Sequence, residues 1–381
     1  MTVGAVGAGS AVGAGSAVGA GSAVGAGSAV ETIETIGEVA EGPYFDELTV
    51  GQTFRSAPGV TLTPGLVDVH RAIVGGRLPL ALDHALYTEV TGGTALAPPN
   101  VVWDVAIGQS TVVTHHVKAN LFYRGLVFRR TPELGDTLRT STEVVALRQN
   151  SVRPGRRPTG LAVLRITTVD QHGRPVLDFW RCAMLPLRDP DRATGHRDDV
   201  DAVGAQPDPA DLAAVVDGWD LTRFAAATEG VRFTDLKAGQ SWQVGGGDVV
   251  SNAPELARLT LNIAQVHHDA AAGGGRRLVY GGHTIGLAFA QVTRALPTLV
   301  TVAGWHGCDH VGPVHEGDTL RSEITVEDLT PLAAGGGLVS LRSRVRADTA
   351  PTGDAGAVGD AGAAGGSGRD VLDWRFVAVL P

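Results

Sequence analysis

Apolar side chains recur at alternate positions, or in β-branched runs, over Leu138 to Leu147, Leu161 to Val169 and Val176 to Leu185, with Gly or Pro between the runs. This pattern predicts antiparallel strands. Upstream, the alternation in Val60-Thr61-Leu62-Thr63 leads into a helix, and Pro98-Pro99 breaks the chain before a second helical run from Asn100 to about Val113. The second half repeats the order. It has a turn at Ala238-Gly239, a helix around Pro254 to Gln265, a loop at Gly273-Gly274-Gly275, a helix from Gly282 to about Ala295, and three more strand patterns. The architecture this predicts is α+β, a long helix against a curved antiparallel sheet, built twice.

The repetition also holds residue by residue. Phe45-Asp46-Glu47-Leu48-Thr49-Val50-Gly51-Gln52 returns as Phe233-Thr234-Asp235-Leu236-Lys237-Ala238-Gly239-Gln240, and Gly135-Asp136-Thr137-Leu138-Arg139 as Gly317-Asp318-Thr319-Leu320-Arg321. Val176-Leu177-Asp178 near the end of the first half matches Val371-Leu372-Asp373 near the end of the second. Landmarks in the same order point to duplication and fusion of one domain. The expected organisation is an N-terminal domain over 41–187, a linker and connecting helix over 188–226, and a C-terminal domain over 227–381. Within the connection, Arg188 to Gln206 is rich in Asp, Pro, Arg and Gly and reads as linker, and Asp211 to Thr228 as a helix. Residues 1–40 carry a Gly/Ala/Ser/Val hexamer in tandem, too poor in large apolar groups to offset the entropy of ordering, and are expected to be disordered. The segment 348–369, dominated by Gly, Ala and Asp, reads as a flexible insertion in the last hairpin.

The 381 residues suffice for two well-packed domains. A net charge of -9 with no long basic run gives no footprint for a nucleic-acid partner. Cys182 and Cys308 are isolated in separate halves, which argues for a reducing compartment, with the cytoplasm as the default, and against a structural zinc. No run of about 20 apolar residues suggests a membrane span.

The segment Asn262-Ile263-Ala264-Gln265-Val266-His267-His268-Asp269, followed by Leu278-Val279-Tyr280-Gly281-Gly282-His283, resembles the motif of the MaoC-like (R)-specific enoyl-CoA hydratases and dehydratases of the hotdog superfamily. Those enzymes carry Asp-x-Asn-Pro-x-His-x-Asp, then a Gly opening the central helix. His267, Asp269 and the helix-opening Gly match, whereas Asn262 stands in place of the first Asp and Ala264-Gln265 in place of Asn-Pro. Within the superfamily the chain is most similar to fused double-hotdog mesaconyl-CoA hydratases, also described as β-methylmalyl-CoA dehydratases. That similarity lies around Leu147-Arg148-Gln149-Asn150, Arg276-Arg277-Leu278-Val279-Tyr280-Gly281-Gly282-His283 and Val371-Leu372-Asp373. The resemblance implies a tandem hotdog fold and an acyl-CoA thioester substrate, with coenzyme A as part of the substrate and no separate cofactor. Hotdog domains commonly associate, so both a self-sufficient pseudo-dimer and a further homo-oligomer stay open.

Adding water to an enoyl thioester needs a base for the water, an acid for the α-carbon and donors for the enolate-like oxygen. A histidine can serve as both acid and base, which makes His267 the candidate. It acts alone, or with Asp269 or an acid from elsewhere. Asn262 cannot be a base but can orient water or hold the thioester oxygen. The N–H of Gly281 or Gly282 at the helix start would face that oxygen. Arg276 and Arg277 would meet either a free carboxylate of the acyl group or the coenzyme A phosphates, with Tyr280 and His283 completing the substrate side. Placed on the same motif, the first half has Gly76 and Ala81 at the acid and histidine positions, so one active site per chain is expected. Without the resemblance, His267 to Asp269 also reads as a solvated helix end, and the spacings of His267, His283, His306, His310 and His315 match no metal motif. The rival functions are a hydratase of unsubstituted enoyl-CoA and a non-catalytic acyl-CoA-binding subunit.

Overall fold

The computed structural model describes residues 40–349 and 368–381. The N-terminal hexamer repeat and most of the 348–369 insertion lie outside the described residues. In the first half, strands β1 (Thr53–Phe54) and β2 (Val60–Thr61) lead into helices α1 (Pro64–Val74), α2 (Pro79–Leu82), α3 (His84–Thr91) and α4 (Pro99–Gln109). Strands β3 (Ala119–Phe128), β4 (Thr137–Gln149), β5 (Thr159–Val169) and β6 (Pro175–Pro186) follow. Helices α5 (Pro209–Ala213) and α6 (Leu221–Ala227) connect to the second half, which comprises β7 (Ser241–Gln243), β8 (Asp248–Val249), α7 (Ala253–Leu259), α8 (Gly281–Ala295), β9 (Thr301–His310), β10 (Thr319–Pro331), β11 (Gly337–Asp348) and β12 (Arg369–Leu380).

Among the described residues the strands make one antiparallel sheet in the order β1-β4-β5-β6-β3-β9-β12-β11-β10-β7, with β2 on β4 and β8 on β10. The halves meet where β3 pairs with β9, Tyr123 opposite Cys308 and Leu126 opposite Trp305. Periodicity did not mark β3. Two register shifts, at Asn120/Phe122 and Arg124/Val127, break its alternation, and most of its residues from Phe122 onward are buried.

Helices α4 and α8 pack against this sheet. Every residue of α4 is buried, so it carries no polar stripe, as a helix enclosed on all sides should not. The two helices stand in equivalent places. Gln109 on α4 donates to the Leu138 carbonyl at 3.0 Å, and Gln291 on α8 donates to the Leu320 carbonyl at 2.9 Å. The repeated aspartates likewise do the same work twice. Asp178 pairs with Arg165 at 2.8 Å and Asp373 with Arg342 at 2.6 Å across neighbouring strands. Asp136 and Asp318 each close a turn by accepting the backbone N–H of Glu133 and His315. Between the helices and the sheet, Trp103 of α4 meets Phe289 of α8, Trp305 of β9 and Trp374 of β12, with ring centroids 5.0–6.0 Å apart. One continuous core therefore joins the halves.

Three expectations are corrected. The 211–228 helix is two short helices, because the chain turns at Gly218 with φ of 79° and restarts at Asp220, whose carboxylate caps α6 through Arg223 N–H. The 254–265 helix stops at Leu259, and Leu261 adopts a left-handed φ of 60° that turns the chain towards Asn262. The tract from Arg188 to Gln206 is an ordered strap. Arg188 pairs with Glu41 and Glu47, the His196 carbonyl accepts from Gln149 N–H, and Val200 is buried with Phe122, Leu161 and Val163. Among the described residues no helix is long and apolar enough to cross a membrane.

Candidate active site

A cavity of about 350 Å³ lies where the two halves meet, beside the start of α8. Its wall comes from both halves. Thr114, Tyr123 and Arg181 belong to the first, and Asn262, His267, Tyr280, Gly281 and His310 to the second.

His267 ends a single 3₁₀ turn, Gln265–His267, and is buried. Its Nδ1 lies 2.8 Å from the Leu278 carbonyl. A carbonyl can only accept, so Nδ1 carries the proton and Nε2 keeps its lone pair. Burial lowers the His267 pKa to about 4, with the nearby His268 and Arg181 pushing the same way against the Leu278 hydrogen bond. The residue is thus a neutral imidazole at pH 7, with one nitrogen anchored and the other free to take a proton.

Asn262 is held by the opposite half: Thr111 at the end of α4 takes the Ile263 N–H at 3.0 Å. The Asn262 Oδ1 accepts from Ala264 N–H at 3.0 Å, which leaves its amide NH₂ as the group to meet a ligand. That NH₂ only donates, so it can hold an oxygen but cannot remove a proton.

The two helix-start glycines differ. Gly281 lines the cavity, and a Cβ there would lie 2.6 Å from His310 Nε2, so only glycine fits without displacing that ring. A Cβ on Gly282 would instead meet Asp104 Oδ1 at 2.1 Å and the Tyr280 ring at 2.5 Å, so Gly282 faces the protein interior. Of the two, Gly281 is the one that lines the cavity. As the first residue of α8, its N–H has no intrahelical acceptor and sits at the positive end of the helix dipole. Behind it, Tyr280 donates to Asp104 at 3.2 Å, and Asp104 bonds His70 at 2.8 Å, a buried network tying α8 to α4 and α1. Burial raises both the Asp104 and the Tyr280 pKa.

Four other expected residues lie away from the cavity. Asp269 is exposed and accepts the Ala271 N–H at 2.8 Å, so it is no partner to His267. Arg276 and Arg277 sit on an exposed outer loop, and Arg277 pairs with Glu316 at 2.7 Å. His283 lies one turn into the core, fully buried, with its pKa lowered to about 4 by that burial.

Two cavity residues went unread, and a third, His310, was weighed only as a metal ligand. Arg181 and Tyr123 face one another across β6 and β3, and His310 ends β9 with its ring 5.9 Å from the Tyr123 ring. The signal for Arg181 was present: within the alternation of Phe179, Arg181 and Ala183 it occupies an inward position, where an arginine has no ordinary reason to be. Among the described residues no group of three or more His, Cys, Asp or Glu is gathered to hold a metal ion.

Two helix-on-sheet units fused through one continuous sheet, with a histidine and a helix-start glycine facing one cavity, define the class: the chain belongs with the double-hotdog proteins. The structure of a conserved hypothetical protein of Mycobacterium tuberculosis, described as essential for bacterial survival during infection and as a double hotdog, is 53% identical, with a TM-score of 0.80 over 89% of this chain and 98% of that one. The β-methylmalyl-CoA dehydratase of Chloroflexus aurantiacus is 27% identical over 81% of this chain and 89% of its own length. The mesaconyl-CoA hydratase of Cereibacter sphaeroides is 26% identical over 80% and 89%. No family model matches the chain.

Proposed function

We propose that this protein is a hydro-lyase that reversibly adds water across the α,β double bond of an acyl-CoA thioester, with mesaconyl-CoA and β-methylmalyl-CoA as the preferred pair. The observation that carries this reading is the pairing, in one cavity, of the His267 Nε2 lone pair with the free N–H of Gly281. The names of the two curated relatives point to the same chemistry.

In the hydration direction His267 Nε2 takes a proton from a water held by the Asn262 NH₂, and the hydroxide adds to the β-carbon. Charge moves to the thioester oxygen, where the Gly281 N–H meets it. The imidazolium then returns its proton to the α-carbon, leaving His267 neutral for the next turnover. Low polarity around the ring destabilises the imidazolium and so favours that return.

The first half lacks these parts. Its helix α4 opens with Pro99 where α8 opens with Gly281, so the N–H equivalent to that of Gly281 is missing. Catalysis at a single site per chain follows from this reading.

The test is loss of enoyl-thioester absorbance with the purified full chain, offered mesaconyl-CoA and crotonyl-CoA in parallel and followed by mass analysis. Addition of water, lowered roughly 10²–10⁴-fold in His267→Ala, is the expected result. Addition to crotonyl-CoA alone would move the preference to unsubstituted acyl groups. Binding without turnover would replace the enzyme with an acyl-CoA-binding subunit.

A further inference from the structure

Arg181 is a cation without a counter-ion. It is 4% exposed, and among the described residues no carboxylate lies within ion-pair distance of it. One guanidinium nitrogen donates to Thr114 Oγ1, the Tyr123 phenol stands beside it, and its Nε has no partner at all. Burying a charged group in this way costs several kcal/mol unless something repays it. Elsewhere in this fold buried or half-buried arginines sit on aspartates, as Arg165 and Arg342 do.

The fold itself does not require the residue. The register that sets Tyr123 opposite Arg181 on β3 and β6 sets Trp305 opposite Phe376 on β9 and β12. The equivalent of His310 is Phe128. At one of the two matching places Trp305, Phe376 and Phe128 fill the space with aromatic rings, and at the other Tyr123, Arg181 and His310 keep a phenol, a guanidinium and an imidazole around an open cavity. A cation retained where the scaffold accepts Phe is explained by a ligand.

That ligand has to bring its anion deep into the cavity. The phosphates of coenzyme A are a whole pantetheine arm from the thioester, so with the reacting carbons at His267 they remain outside. The anion reaching Arg181 therefore belongs to the acyl group. We propose that Arg181, supplied by the half that lacks the catalytic residues, binds a free carboxylate on the acyl chain and so selects thioesters of unsaturated dicarboxylic acids. This deepens the hydration reading and rests on it. A guanidinium fork suits a carboxylate in two parallel hydrogen bonds, and the unpartnered Nε supplies one edge of that fork. The role is specificity, since Arg181 holds the end of the acyl group that does not react.

The experiment compares the full chain and Arg181→Met on mesaconyl-CoA, its free carboxylate intact or masked as the methyl ester, and on crotonyl-CoA. The wild type should favour the free acid over the ester by roughly 100-fold in kcat/KM. In Arg181→Met that preference should collapse, crotonyl-CoA turnover should change by less than about 10-fold, and the melting temperature of the ligand-free protein should hold or rise, because an uncompensated charge has left the core. A lower melting temperature with the acid preference intact would show a structural arginine and overturn the proposal. Equal rates on acid and ester in the wild type would overturn it while leaving hydration standing. Should no substrate be hydrated, the hydration reading fails. Calorimetric binding of acid against ester to the wild type, which depends on neither turnover nor a foldable variant, still decides the role of Arg181.

Discussion

His267 has its protonation state chosen for it by the backbone: the Leu278 carbonyl fixes the proton on Nδ1, and burial holds the ring neutral down to about pH 4. In the proposed mechanism the working form is the base, so activity should persist as pH falls through 6.5, the range in which an ordinary histidine protonates, and be lost near pH 4 to 5. The acid limb of kcat/KM between pH 4 and 8 checks this, and a midpoint near 6.5 would mean that the ring is open to water in the working enzyme. At this scale the sequence was readable where the motif is contiguous. Asn262, His267, Tyr280 and Gly281 all reach the cavity. It misled where closeness along the chain stood in for closeness in space. Asp269 closes the motif and Arg276 and Arg277 follow it within a few residues, but the loop that carries them faces solvent. Arg181 and Tyr123, far back in the chain, reach the cavity through strand pairing: the alternation marks Arg181 as inward-facing, but no local pattern tells which site it meets.

In the proposed mechanism helix α8 contributes through its first peptide N–H. Proline is at home at the first position of a helix, as Pro99 shows at the start of α4, so Gly281→Pro removes the donor without breaking α8. It also adds a Cβ that crowds His310, and Gly281→Ala adds the same atom while keeping the N–H. The ratio of the two variants therefore isolates the hydrogen bond. Gly281→Pro should fall a further 10²–10³-fold in kcat below Gly281→Ala, roughly the effect of losing one oxyanion donor. Equal rates in steady-state assays would move the oxyanion site elsewhere. Among the strands, those with clean alternation were legible, and β3 was not. Its register shifts and burial serve the junction with β9, a tertiary demand that overrides the local period.

For the molecule as a whole, the β3–β9 pairing and the Trp103 cluster leave no seam along which one half could part from the other. Urea unfolding followed by tryptophan fluorescence and by far-UV circular dichroism should give coincident single transitions. Two separated steps would mean that the halves are energetically independent. That stability should also depend on pH. His267, His283 and His310 each have a pKa lowered to about 4 by burial. The folded state then binds fewer protons than the unfolded chain between about pH 4 and 6.5, so stability is full above 6.5 and drops as pH falls through that window. The slope approaches about 4 kcal/mol per pH unit for the three together. Urea midpoints at pH 7 and pH 5 measure it.

The contrast between Tyr123–Arg181 and Trp305–Phe376 bears on the history of the chain. In a dimer of identical subunits one gene writes both sites, so a substitution that sharpens one pocket is imposed on its mirror image, whatever it does there. Joining the copies end to end ends that bookkeeping. Each strand can then drift under its own selection, one towards recognising a charged cargo and the other towards dense aromatic filling that stiffens the wall behind it. A buried lone guanidinium is a burden that a symmetric ancestor would have carried twice, and the tandem chain carries it once.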